Sequence, residues 1–497
     1  MRILDLHGNS KKKEKAADGS KDESVFSITQ GTAIGLFALG AQTADEKTLD
    51  ILGTKKLKLE AMLRITLRTE PLTTLAPNAP FWLFKPQAQA GRSDYENGWG
   101  LPLIFSPNGD PAPGLVTTQD EFAISYSEGE ARKKVQALLE SQSEADARKL
   151  FQFCTQDQWN YEDAKLALAD GAWKKKLVPV LYRPFDKRIT VYDRHVAVHR
   201  RERVTSHFLA GRNLGISCTR ATEIQGQFQH VFCTSLMTQH HTVSLKEVNY
   251  LFPLWLYHEG KRAVNIAPAY LRAIQSSLGT PITGEQSAKS LDGERVFNFI
   301  YAILHSPAYR QRYAAFLRTD FPRIPIPGSL AVFNALAELG SQLVAWHLLE
   351  HPDAIKIEAT YASKSGATAW FGKDLALTKV AEKGKALAEL TGTTGKVFIN
   401  STSGFVNVRQ PIWQHTIGGY QVLHKWLDDR RKAGRSLSQD DITHWLRIYA
   451  SLQATQALTL QVDAAIEANG GWPGAFSQNH PPPDAATLAA EQMVQKD

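Results

Sequence analysis

Cysteine is scarce in this 497-residue chain, limited to Cys154, Cys218 and Cys233. These lie far apart and form no C-x-x-C pair, which argues against a disulfide framework or a zinc ribbon and fits a reducing cytosol. Long apolar runs are missing too. The nearest, at 251–257 (LFPLWLY), falls well short of the roughly 20 residues a membrane-spanning helix needs. No charged-then-apolar leader opens the chain, so a secretory route is not expected and a cytoplasmic location is.

Several chemical signatures are also absent. No G-x-x-x-x-G-K-[ST] occurs, so there is no P-loop and no ATP-driven motor. No G-x-S-x-G elbow presents a nucleophilic serine, and no G-x-G-x-x-G follows a strand to hold a dinucleotide. The N-P-P-[YF] element with which amino-DNA methyltransferases clamp a base is missing as well. The nearest strings, at 78–81 (NAPF) and 479–483 (NHPPP), do not qualify; in the first, alanine replaces the first proline and no strand leads in. His195 and His199 have H-x-x-x-H spacing, which places both on one face, but no third ligand follows nearby. A surface or groove histidine pair is the better reading, and the same holds for His240 and His241.

What is present is an ordinary soluble composition, 43% apolar and 22% charged, with a net charge of +7. The length predicts two to four domains, and the mild basicity permits a polyanionic partner without requiring one. Buried, glycine-interrupted sequence at 25–39 reads as adjacent strands of an α/β sheet. The segment 128–176 reads as helical, and 177–257 turns to strands with alternation and β-branched residues. Helices resume at 294, break at Pro307, and end in a confident one: Ser438 and Asp441 form an S-x-x-D cap, followed by Ile442, Trp445, Leu446 and Tyr449 at helical spacing.

The strongest positive signal is basic density at 183–212. Arg183, Lys187, Arg188, Arg194, Arg200, Arg201, Arg203 and Arg212 are set against Asp186, Asp193 and Glu202, with Tyr182, Phe185 and Tyr192 interleaved. The arginine fork suits bidentate contact with phosphate oxygens or with guanine O6 and N7. A solvated, salt-bridged strand face accounts for the same charges equally well. Lysines 11, 12, 13, 15 and 21 form a second basic loop, for which phosphates are natural counterions.

Long ordered segments then carry a family likeness. Residues 2–37 (RILDLHGNSKKKEKAADGSKDESVFSITQGTAIGLF), LYRPFDKRITVY, FPLWLY, FIYAILHSPAYRQRYAAFLRTDFPRIPIP, HLLE and IGGYQVLHKWLDDR occur in this order. Together they resemble the C-terminal half of single-polypeptide, type I-like (type ISP) restriction-modification enzymes, over nearly the whole chain. In that family a nuclease and a helicase-like motor precede an adenine-N6 DNA methyltransferase, which a target-recognition region follows. The resemblance implies that residues 1–70 are the last strands of a Rossmann-like methyltransferase domain. The segment 50–62 would be its exit, with Leu52 where the family has an aromatic residue.

By the same resemblance, 71–274 is a strand-rich, basic target-recognition domain, 275–293 a linker or surface loop, 294–467 a helical part of the specificity region, and 468–497 a flexible tail. The expected fold is therefore α/β and α+β. The implied function is sequence-specific recognition of double-stranded DNA, directing adenine-N6 methylation and restriction. The S-adenosylmethionine pocket and catalytic loop of the complete enzyme are expected outside this chain, in cis or on a separate subunit. No catalytic, cofactor or metal residue is therefore assigned within it. Candidate DNA contacts are Lys12, Lys13, Arg183, Lys187, Arg188, Arg200, Arg201, Arg203, Arg220 and His241. Two alternatives stay open: one subunit of a split but active methyltransferase, and a non-functional truncated remnant.

Overall fold

The computed structural model describes residues 1–10, 14–16, 18–26, 28–37, 46–66, 72–75, 77, 84, 91–105, 111–153, 158–222, 227–279, 292–355, 359–363, 369–370, 376–378, 394–399 and 403–483. Lys12, Lys13 and the string at 78–81 lie outside the described residues. The chain divides into two compact units, Met1–Arg92 and Ser93–Asp497, and no helix among the described residues is long and apolar enough to cross a membrane.

The first unit is a four-stranded sheet in the order Ala33–Leu36, Arg2–Asp5, Lys47–Asp50, Thr73–Thr74. Arg2–Asp5 runs parallel to Lys47–Asp50 and antiparallel to Ala33–Leu36. Of the strands expected at 25–39, only Ala33–Leu36 forms among the described residues; the chain before it turns, with Ile28 N–H donating to the Phe26 carbonyl. Because Thr73–Thr74 pairs with Lys47–Thr48, the unit reaches past the boundary expected near residue 70. Helix Lys55–Arg64 connects the third and fourth of these strands, its first turn capped by the Thr54 hydroxyl. Lys58 on that helix is fully buried, its ammonium 2.6 Å from Asp22 and donating to the carbonyls of Leu6 and Glu23.

In the second unit the helical stretch read from sequence becomes three helices, Glu128–Glu140, Glu144–Phe151 and Tyr161–Leu168, and a 3-10 turn. Ser127, Ser143 and Asn160 cap them in turn, each side chain accepting a backbone N–H that the helix itself cannot satisfy. Their apolar faces close over Phe122, Trp159 and Val191.

An antiparallel sheet ordered Asn249–Pro253, Gly215–Thr219, Val231–Thr234 shares a core with helices Gly293–His305 and Leu330–His347. Those two helices approach so closely at Gly340 that a Cβ there would stand 1.9 Å from the Asn298 carbonyl oxygen. The long helix Gln439–Ala468 starts at the reciprocal Ser438–Asp441 capping box. Ile442, Trp445 and Tyr449 are buried, and Leu446 half-buried, in a second core with Phe405 and Trp426, as their spacing predicts.

Two expectations are corrected here. Residues 275–278 are not linker but the last turn of helix Pro268–Leu278, held because Ile274 is buried beneath it; 280–291 lie outside the described residues. The segment 469–483 folds back rather than fraying. Phe476–Ser477 pairs with Ile326–Pro327, and Trp472 packs on Tyr309, Tyr313 and Phe476. Apolar burial of Ala475 and Phe476 outweighs the loop-like glycine and proline content.

Candidate nucleic-acid interface

The centre of the basic region is a hairpin of Leu177–Arg183 and Asp186–Val191. Pro184 and Phe185 make the turn, with Phe185 at a positive φ of 63°. The tip does not face solvent. Phe185 is 4% exposed, packs edge-on to Phe232, and its carbonyl accepts from His444 Nε2 at 2.8 Å.

Burying the tip buries its charges. Asp186 accepts from Arg188 Nη2 (2.6 Å) and Nε (3.0 Å) on one oxygen, and from Arg430 Nη2 (3.1 Å) on the other. Burial opposes ionisation of this carboxyl, but the Arg430 and Arg188 charges more than offset it and hold it at about 2. Arg188 lies 3.5 Å over the Tyr126 ring and Arg430 3.3 Å over Trp426, a cation–π contact that replaces part of the lost hydration. Arg183 is also buried; it stacks on Tyr182 and donates to Gln239 Oε1 at 3.1 Å. The same Gln239 oxygen accepts the His241 backbone N–H at 2.7 Å, and the His241 ring rests on His240 with centroids 4.0 Å apart. Burial, then the His241 charge, pushes His240 down to about 4.

A cleft of about 610 Å³ opens beside this network, with Asp120, Glu130, Tyr182, Arg183, Lys425 and Asp429 in its wall. Charges of both signs alternate there. A phosphate entering it would meet carboxylates as readily as cations, so the cleft is poorly suited to a polyanion.

The exposed cations lie further along the chain. Lys187 on the hairpin and Arg194 in the turn after it are exposed, as are Arg201, Arg203 and Arg212 on and around helix Glu202–Leu209. Arg200 is partly committed to Glu202 at 2.6 Å, and Arg220 pairs with Asp320 at 2.9 Å; surface pairs of this kind are weak and open readily to a competing anion. Tyr192 shares a hydrogen bond with Thr205 at 2.7 Å, anchoring the helix to the strand before it. The structure thus gathers Arg200, Arg201 and Arg203 at one helix start and links Arg183 to His241. It places Arg188 in a buried pair and sets Arg220 apart. His195 and His199 turn to different partners, Asp193 and Gln158.

Sequence reading missed Arg430 and Tyr126, which lie far from the hairpin in sequence. It also missed the basic ribbon of Trp255–His258 and Lys261–Val264. The Glu259–Gly260 turn between two alternating runs was the available signal for the ribbon.

In the first unit, the loops leaving the C-terminal ends of the parallel strands are where an α/β sheet holds a nucleoside cofactor. Here Asp22 accepts the N–H groups of both Gly8 (2.6 Å) and Gly53 (2.8 Å), and Lys58 closes the space beside it.

The second unit is thus a mixed α/β body whose charged hairpin is plugged into a helical C-terminal half. Residues 110–460 match the family described as the Type ISP C-terminal specificity domain, and the chain belongs to that family. Solved structures share its fold. One is the DrdV–DNA complex (TM-score 0.64, 19% identity, covering 93% of this chain and 48% of that one). A second is a nuclease-deletion mutant of the Type ISP restriction-modification enzyme LlaGI with a DNA substrate mimic (0.58, 17%, 92% and 43%). A third is the ATP-dependent Type ISP enzyme LlaBIII bound to DNA (0.63, 15%, 93% and 30%). The chain therefore spans less than half the length of each. No curated protein matches it.

Proposed function

We propose that this chain is the part of a restriction-modification enzyme that recognises a specific sequence in double-stranded DNA. The specificity-domain match over residues 110–460 carries the reading, and the DNA-bound state of the structural neighbours supports it. In this reading the solvent-facing cations Lys187, Arg201 and Arg203, with the weakly paired Arg200 and Arg220, set register through phosphates, while His241 lies closer to base edges. Lys12 and Lys13 add phosphate contacts from the first unit. Arg183 and Arg188 act indirectly, by fixing the hairpin and the 239–244 loop.

Adenine-N6 methylation, restriction and S-adenosylmethionine binding belong to the rest of the enzyme, in cis or on another subunit. The parallel pair in the first sheet supports reading that unit as the end of a methyltransferase domain. The test is selection of duplexes from a random pool by the full chain, followed by sequencing. Enrichment of one motif is expected; recovery of an unenriched pool at physiological salt would sink the specificity reading.

A further inference from the structure

A two-stranded ribbon of the second unit contains none of the DNA contacts named from sequence. Trp255–His258 pairs antiparallel with Lys261–Val264 around the Glu259–Gly260 turn, in the register Tyr257 opposite Arg262 and His258 opposite Lys261. Every residue from Lys261 to Val264 is exposed, although the strand holds two cations, Lys261 and Arg262. The Arg262 guanidinium lies 4.2 Å over the Trp255 ring, which presents it as a flat, preorganised fork instead of a mobile side chain.

The ribbon is locked to the basic helix beside it. Tyr257 donates its hydroxyl proton to the Arg212 carbonyl at 2.6 Å, and its backbone N–H donates to His207 Nδ1 at 3.1 Å. The rings of His207 and His258 meet at 5.5 Å. Tyr257 lies so close over Gly211 that a Cβ there would sit 2.7 Å from the ring. Helix Glu202–Leu209, flanked by Arg201 and Arg212, is thus latched to the ribbon that carries Lys261 and Arg262. Of the acidic residues beside it, Glu202 is already paired with Arg200, Glu259 lies at the turn, and Asp292 and Glu294 flank Gly293, which approaches Val264.

We infer that the ribbon Trp255–Val264 is a second DNA-contacting element, which seats Lys261 and Arg262 on the duplex next to the contacts of the Arg201–Arg212 helix. The inference rests on the DNA-recognition reading above. A two-stranded β-ribbon is one of the two shapes the major groove admits, and charge complementarity selects duplex DNA as the occupant of this edge. An exposed strand edge that ended in lysine and arginine only to block self-association would need no stacked guanidinium and no latch to the neighbouring helix.

The experiment compares the wild-type chain with K261A/R262A, binding a mixed-sequence DNA duplex across a salt series. Both side chains are solvent-exposed, so the variant should keep the wild-type thermal melt. The expected result is weaker binding and a log-affinity against log-salt slope shallower by about 2, one for each lost phosphate contact. G211A provides an independent arm: it should displace Tyr257 and weaken binding with both cations retained. If K261A/R262A keeps the wild-type affinity and slope while the wild type binds steeply, the ribbon inference is overturned and the recognition reading stands. If the wild type itself does not bind duplex DNA, both fall.

Discussion

Asp186 shows how one residue decides what its neighbours do. Read along the chain, Arg183 and Arg188 flank a turn and offer two cations to a partner. In the folded unit, Asp186 and Arg430, 244 residues away, consume one of them and burial removes the other. Removing one partner of a buried ion network leaves uncompensated charge, which typically costs about 3–5 kcal/mol. Asp186→Ala should therefore lower unfolding stability by about that much in a urea titration. Lys187→Ala, one residue on but exposed, should leave stability within about 0.5 kcal/mol and weaken duplex binding instead. A D186A protein as stable as wild type would show that the pair contributes nothing net. The hydrogen-bonding residue types of this network were visible in sequence, but not their partners, because Arg430, Gln239 and Tyr126 reach the hairpin only through the fold.

At the scale of elements, local rules worked where partners are local. The Ser438–Asp441 cap was legible because both groups sit within one turn of the helix they cap. Ser438→Ala should cost about 1 kcal/mol, read as a lowered unfolding midpoint. Helix crossings were not legible. Gly340 looks like a helix weakener by propensity, yet it is the point where Leu330–His347 meets the Asn298 carbonyl. Gly340→Ala should therefore destabilise, by about 1–3 kcal/mol from overpacking, where the propensity of an exposed helix would favour alanine. A thermal melt that rises for G340A would contradict the close crossing. The same distinction explains the tail: Gly and Pro at 470–474 predict a loop, but Trp472 and Phe476 find an apolar bed that composition cannot reveal.

Across the whole molecule, buried histidines tie stability to pH. Burial, then the charges of His415 and Arg310, pushes His347 down to about 3. Burial and Arg310 push His415 down to about 4. Each folded-state value lies below the unfolded value of about 6.5, so on acidification the unfolded chain takes up protons first. Their contribution is fully present above about pH 6.5 and is lost as pH falls toward the folded values. Each histidine removes on the order of 1 kcal/mol per pH unit in that window. Urea midpoints should hold steady above neutrality and drop between about pH 6 and 5; a flat profile there would refute the burial of these rings. Composition, capping and periodicity by themselves determined a mixed α/β chain with a basic middle, because those features depend on residue type and short spacing; the specificity role was legible only through the resemblance carried by the ordered family segments. Only the tertiary structure decided which arginines face solvent and which are locked inside. Burying a charge depends on counter-charges and aromatic faces supplied from distant parts of the chain, and no spacing rule brings Arg430 to Asp186 or Tyr257 to Gly211.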